Sequence, residues 1–230
     1  MPGTTRARLR LGTFLLPIAL TLRLTRWGRD LKYTAPVSFG TPPRQFELQI
    51  DTGSSLLWVQ DFGSAEIQQR LKDEGQENEP VPPFYFDHRN SSTFKYTSGP
   101  DSKQVAANIT YLKGDTKGWL ATDVVGIAGQ SLPDQTFLSA YTWSADQDAN
   151  KDNVTGILGL GLPYEGGPKK GPDPLNLPLR LSKLWKDKRF GVYLSRDSKD
   201  PKAIAEAVGH PEFAGPGGEL TLGYVLETVH

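Results

Sequence analysis

"FELQIDTGSSLLWVQ", residues Phe46–Gln60, decides how this chain is read. Phe46, Leu48 and Ile50 alternate with Glu47 and Gln49, the period of a half-buried strand. Leu56, Leu57, Trp58 and Val59 form a shorter apolar run that reads as a second strand. Between them the turn Asp51-Thr52-Gly53-Ser54-Ser55 carries a carboxylate, and the stretch has no basic residue to neutralise it. A carboxylate held where two buried strands meet is a candidate reactive group. Its chemistry depends on whether a second one joins it.

Outward from this stretch the pattern stays β-rich. The chain has 230 residues, enough for one sizeable core, and its 24 Gly and 18 Pro punctuate it at the spacing of many short strands. "GTPPRQ", Gly40–Gln45, is turn chemistry ahead of Phe46. Further strands are expected near Val105–Leu112, Trp119–Ile127, Thr136–Trp143 and Phe190–Ser195. Ser64–Pro83 is charged and proline-bearing and reads as a surface excursion in which Ile67 and Leu71 seat one helical turn; Pro163–Pro174 reads as a second excursion. Two short helices are expected. One starts at Asn176 as N-cap, with Pro178 in its first turn and Leu177, Leu181, Leu184 and Trp185 at helical spacing; the other runs from Asp200 to Val208.

Composition excludes several functions. Lys plus Arg and Asp plus Glu are equal at 26 each, so there is no net field to draw in nucleic acid or an anionic membrane surface. The absence of cysteine removes disulfides, thiolate zinc sites and a cysteine nucleophile. His88, His210 and His230 have no companions at metal-ligand spacing, so neither metal nor cofactor is expected. Ser54 and Ser55 lack the Gly-x-Ser-x-Gly elbow of a serine nucleophile, and "GLGLP" at Gly159–Pro163 reads as close packing, not a phosphate loop. Near the N-terminus Arg6, Arg8 and Arg10 precede the apolar run Leu11–Leu22, which is too short to span a bilayer and suits a signal-peptide core or a signal-anchor-like segment over residues 1–30. The sequons at Asn90, Asn108 and Asn153 are glycosylation candidates and agree with a secretory route, extracellular or vacuole/lysosome-like.

Phe39–Gln60, "FGTPPRQFELQIDTGSSLLWVQ", resembles the first active-site segment of the pepsin-like aspartic proteases. The resemblance continues in family order through Phe86–Lys95, Ile109–Val125, Thr155–Pro163, Gly191–Asp197 and Gly217–Gly223. It implies an all-β single lobe with a substrate groove over residues 31–230, carrying one or two short helices, and it implies aspartic-type endopeptidase chemistry on a peptide or protein substrate. Asp51 would be a catalytic carboxylate, Thr52 and Gly53 would hold it, and Ser54 would donate a hydrogen bond to it. Tyr111 would ride on a β-hairpin flap with Trp58 as its hydrogen-bonding neighbour and Gly114 letting the flap bend. Ile157 is read as a pocket-wall residue, with a buried core residue as the equal alternative.

That chemistry uses two carboxylates, and this sequence has one Asp-Thr-Gly turn. Asp101-Ser102, Asp115-Thr116 and Asp197-Ser198 are each followed by Lys, not Gly. The resemblance therefore implies an N-terminal lobe, truncated before the second lobe, that needs a second lobe or a second chain for catalysis. The alternatives are an inactive single-lobe peptide-binding module and a homodimeric protease in which each chain supplies Asp51. A membrane tether would run only through the N-terminal segment. Two departures from the family pattern bear on the flap and the last strand: Tyr111-Leu112-Lys113-Gly114 stands where Tyr-Gly is common, and Leu222-Gly223-Tyr224 stands where Leu-Gly-Gly is usual.

Overall fold

The alternation around Phe46 becomes β3 (Arg44–Asp51), with Phe46 and Leu48 buried, and the apolar run after the turn becomes β4 (Leu57–Gln60), buried at every residue. The structure is a computed structural model that describes residues 20–27, 32–111, 114–144, 149, 153–161, 176–185, 187–195 and 215–224. The remaining strands are β1 (Leu20–Trp27), β2 (Lys32–Phe39), β5 (Lys95–Tyr96), β6 (Ala106–Tyr111), β7 (Gly114–Ile127), β8 (Gln130–Thr142), β9 (Val154–Gly159), β10 (Phe190–Leu194) and β11 (Gly215–Leu222). They form one mixed sheet in the order β10-β11-β1-β2-β3-β9-β4-β8-β7-β5, with β6 paired to β7. A further pairing of β2 with β7, Val37 opposite Ile127, closes the run from β2 to β7 into a ring. Closure removes the free edges of those strands and surrounds a core. Phe39 is its centre, with its ring 5.0 Å from Phe137, 5.6 Å from Phe86 and 6.1 Å from Phe46. The all-β expectation holds.

Two elements add to the expected organisation. The expected leader over residues 1–30 lies outside the described residues except for Leu20–Trp27, and that part is a strand of the sheet. Leu20, Leu22 and Leu24 are buried while Thr21 and Arg23 face solvent, and β1 pairs antiparallel with β11 from Leu20 opposite Leu222 onward. The described sheet thus begins at Leu20, ahead of residue 31, because the last leucines of the apolar run already alternate with polar residues. The expected surface excursion contains α1 (Ala65–Asp73), where one helical turn was expected. Ser64 caps it by accepting from Ile67 N, Ile67 is its one buried residue, and Trp119 Nε1 donates to Glu66 at 2.7 Å, so the helix is held from outside itself. The second expected helix, Asp200–Val208, lies outside the described residues. The first is α2 (Leu177–Leu181), capped by Asn176 accepting from Leu179 N at 2.7 Å, with Leu177, Leu181 and Trp185 in the core.

A polar chain ties the first three strands together. Trp27 Nε1 donates to Thr34 Oγ1 at 2.9 Å, and Thr34 Oγ1 donates to Glu47 Oε2 at 2.5 Å. Burial pushes the Glu47 carboxyl above its ordinary value of 4.5, with the Thr34 bond only partly offsetting it. Glu47 therefore releases its proton at higher pH in the folded chain than in the unfolded one. The folded state carries no penalty below the unfolded pKa, and it loses stability as pH rises from about 4.5 through the raised folded value. Glu47→Gln is expected to flatten that decline, read as a smaller difference between thermal midpoints at pH 4 and pH 7 than in the parent chain. An unchanged difference would remove Glu47 as its source.

Candidate active site

Asp51 ends β3, which pairs in parallel with β9 so that Asp51 stands beside Gly159. The turn is tied to β9 by backbone: Leu160 N donates to Asp51 O at 2.7 Å, Gly161 N to Ser54 O at 2.8 Å and Gly159 N to Leu56 O at 3.0 Å. A Cβ on Gly159 would sit 2.5 Å from Leu56 N, and one on Gly161 would sit 2.9 Å from Ser54 O. These glycines serve close packing, and the approach they permit fixes where the carboxylate stands. Asp51 Oδ1 accepts from Gly53 N at 2.8 Å, an Asx turn that orients the side chain while leaving Oδ2 uncommitted among the described residues. Asp51 is half-buried; Thr52 and Gly53 are exposed.

The expected Ser54-to-Asp51 hydrogen bond is not formed. The Ser54 hydroxyl is buried and makes no hydrogen bond among the described residues. Tyr111 ends β6, opposite Gly114 on β7. Trp58 is fully buried on β4 and its Nε1 donates to the Tyr111 hydroxyl at 2.8 Å. Burial, with the charge of Asp51 as a lesser cause, raises the Tyr111 pKa against the opposing hydrogen bond from Trp58. The phenol therefore stays protonated and keeps a hydrogen to donate while it accepts from Trp58. Gly114 adopts φ +131°, and a Cβ there would meet the Ser144 Cβ at 2.6 Å. Leu112 and Lys113, between the two hairpin strands, lie outside the described residues.

Ile157 is 4% exposed and packs with Trp58, Leu138 and Ala140. Of its two readings it takes the core one, behind Tyr111. Asn90, Asn108 and Asn153 are all exposed, but the hydroxyl-bearing Thr155 of the third sequon is fully buried in β9. Tyr111→Phe is expected to lower stability by about 1–3 kcal/mol, since it leaves the buried Trp58 Nε1–H without its acceptor. Urea denaturation followed by tryptophan fluorescence measures this; a loss under about 0.5 kcal/mol would mean that water replaces the phenol.

Two features had no local sequence signal. Asp61, fully buried directly after β4, accepts from Gly63 N, His88 N, His88 Nδ1 and Ser139 Oγ at 3.0, 3.2, 2.8 and 2.6 Å. Beside the Asp51 turn, a cavity of about 360 Å³ is lined by Tyr33, Ile50, Thr52, Val192 and Leu194. On the adjoining edge strand β10, Val192, Tyr193 and Leu194 are 38%, 42% and 45% exposed. Among the described residues no group of three or more His, Cys, Asp or Glu gathers as a metal site, and no helix is long and apolar enough to cross a membrane.

The site offers one oriented carboxylate and a hairpin whose Tyr111 phenol feels its charge. The eukaryotic aspartyl protease family model matches residues 32–208. Major aspartyl peptidase 1 of Cryptococcus neoformans var. grubii is 34% identical over 183 residues, which is 80% of this chain and 33% of that protein. Pepsin A-5 of Mus musculus is 32% identical over 205 residues, 88% of this chain and 46% of that protein. Cathepsin E of Aquarana catesbeiana is 29% identical over 196 residues, 84% of this chain and 40% of that protein. The aligned part thus spans a third to just under half of the length of each relative.

Proposed function

This chain belongs to the eukaryotic aspartyl protease family, and from that premise we propose that it is a catalytic lobe of an aspartic-type endopeptidase in which Asp51 is one of two carboxylates. The observation that carries the reading is that Asp51 keeps Oδ2 uncommitted among the described residues and lies near enough for its charge to act on the Trp58-anchored Tyr111 phenol. In such a site one carboxylate acts as general base on water, and the other, protonated, polarises the scissile carbonyl and then protonates the leaving nitrogen. Two carboxylates can divide these roles because both cannot ionise cheaply side by side, as is established for the aspartic protease dyad. Asp51 alone supplies one role.

The second carboxylate would come from another lobe or another chain docked on the face that carries β10 and the cavity beside Thr52. Three consecutive apolar residues exposed there, adjoining the reactive turn, support this. The groove between the Tyr111 hairpin and that partner would hold an extended peptide. We place the protein in the secretory pathway, with Asn90 and Asn108 as the better glycan acceptors, since Thr155 of the third sequon is buried.

The test is cleavage of a mixed peptide library by the 230-residue chain at pH 3–5 over a hundredfold range of protein concentration. Specific activity that rises with concentration supports completion of the dyad by a second chain. Activity that appears only when further polypeptide carrying an Asp-Thr/Ser-Gly turn is supplied supports a second lobe. Peptide retention without cleavage under every condition would replace the protease reading with that of a binding module.

A further inference from the structure

A second concavity lies away from Asp51, between α1, the loop from Gln76 to Tyr85 and the end of β8, with a volume of about 630 Å³. That is the size of a ligand pocket. Its wall is aromatic: the Tyr85 ring stands 5.5 Å from Phe62 and 6.1 Å from Trp143, and Tyr141 closes another side. Trp143 also packs against the Trp58 cluster, so this cavity and the Tyr111 hairpin share a wall.

The charges around it are unequal. Glu74 and Glu79 line the cavity, are exposed and have no ion-pair partner among the described residues; Arg70 is the single cation of the lining. Glu66, one turn back on α1, gives one oxygen to Trp119 Nε1, and its other oxygen is buried without a hydrogen-bond partner among the described residues. Its charge reaches Tyr141, whose pKa is raised by burial first and by Glu66 second. Aromatic faces attract cations through their quadrupole and offer nothing comparable to anions, so the rings and the carboxylates favour the same ligand. From this pairing of an aromatic wall with an excess of carboxylates we infer that the cavity binds a lysine or arginine side chain of an extended peptide.

Arg70 acts against such a ligand, and the inference therefore fixes the sign of its removal. A peptide basic residue bound here would be anchored at a distance from the scissile bond, behind the Tyr111 hairpin. The inference concerns binding alone and stands or falls independently of catalysis by Asp51.

The experiment is isothermal titration of the full chain with three acetylated, amidated pentapeptides, Ala-Leu-X-Leu-Ala, where X is lysine, norleucine or glutamate. The lysine peptide is expected to bind about tenfold tighter than the norleucine peptide. The double variant Glu74→Gln/Glu79→Gln is expected to erase that difference, and Arg70→Gln to widen it. These three residues are exposed, so the variants keep the fold. Equal affinities for lysine and norleucine would overturn the inference. So would preference for glutamate lost on Arg70→Gln, which marks an anion site, or a lysine preference indifferent to Glu74 and Glu79, which places the peptide elsewhere.

Discussion

Asp51→Asn is expected to lower kcat/KM for peptide cleavage, in any assembly where cleavage is measurable, by a factor on the order of 10²–10⁴. Asparagine has the same shape, and its side-chain oxygen can still accept from Gly53 N, the bond that Asp51 Oδ1 makes at 2.8 Å. The turn, tied to β9 through Leu160 N and Gly161 N, has no reason to move. What disappears is the ability to take a proton from water. The loss should therefore fall on kcat with KM little changed, and the thermal midpoint should stay within a degree or two of the parent. Ser54→Ala is the informative companion. Its hydroxyl makes no bond to Asp51, so the effect of its removal should be small beside that of Asp51→Asn. A large fall in kcat for Ser54→Ala would show that the hydroxyl turns to Asp51 once substrate or partner is bound. Cleavage that survives Asp51→Asn would remove Asp51 from the chemistry.

The largest effect on stability is expected at Asp61. Its carboxylate joins β4 to the His88 loop and to β8 through four donors, and the residue is fully buried. Asp61→Ala leaves Ser139 Oγ, itself fully buried, together with Gly63 N and His88 without their acceptor. Removing one partner from a buried, hydrogen-bonded charge site costs about 3–5 kcal/mol, a large part of a typical domain's 5–15 kcal/mol. His88→Ala removes only one side chain from the set, at a position 18% exposed, and it also strips the ring stacked on Phe94 at 4.5 Å. It should cost less, about 1–3 kcal/mol. Urea denaturation of both variants checks the order. A loss below about 1 kcal/mol for Asp61→Ala would mean that water satisfies the orphaned donors.

Both effects would weigh on function through the same strand. β4 carries Trp58 and is followed directly by Asp61, so loosening the Asp61 tether would let Trp58, and with it Tyr111, leave its position. Asp61 is thus a structural support of the hairpin in this fold, while Asp51 is the group that would meet substrate.

The parts legible in the sequence are those whose causes are local. The Asp51 turn could be read because the alternating residues before it and the apolar run after it set strand, turn and strand within fifteen residues, Phe46–Gln60. The Asn176 cap with Pro178 behind it marked α2 for the same reason, since a cap and its N–H lie in one turn. Two elements near the edge of that rule were misjudged. β1 was hidden because Leu20, Leu22 and Leu24 follow directly on an apolar run, which masks their alternation. α1 was undervalued because it buries one residue of its own and leans on Trp119, 53 positions from Glu66.

The sequence by itself determined a β-rich chain, an Asp-Thr-Gly turn between two buried strands and a capped short helix, because neighbouring residues settle periodicity, turn geometry and capping. Only the tertiary structure decided that the run from β2 to β7 closes through the β2–β7 pairing, that Asp61 meets Ser139 from 78 positions away, that Trp58 meets the Tyr111 hydroxyl, and that β10 leaves three apolar residues exposed. The reason is one of range. Each of these depends on which distant strands become neighbours, and strand pairing is chosen by the burial of the whole sheet, which no stretch of sequence contains.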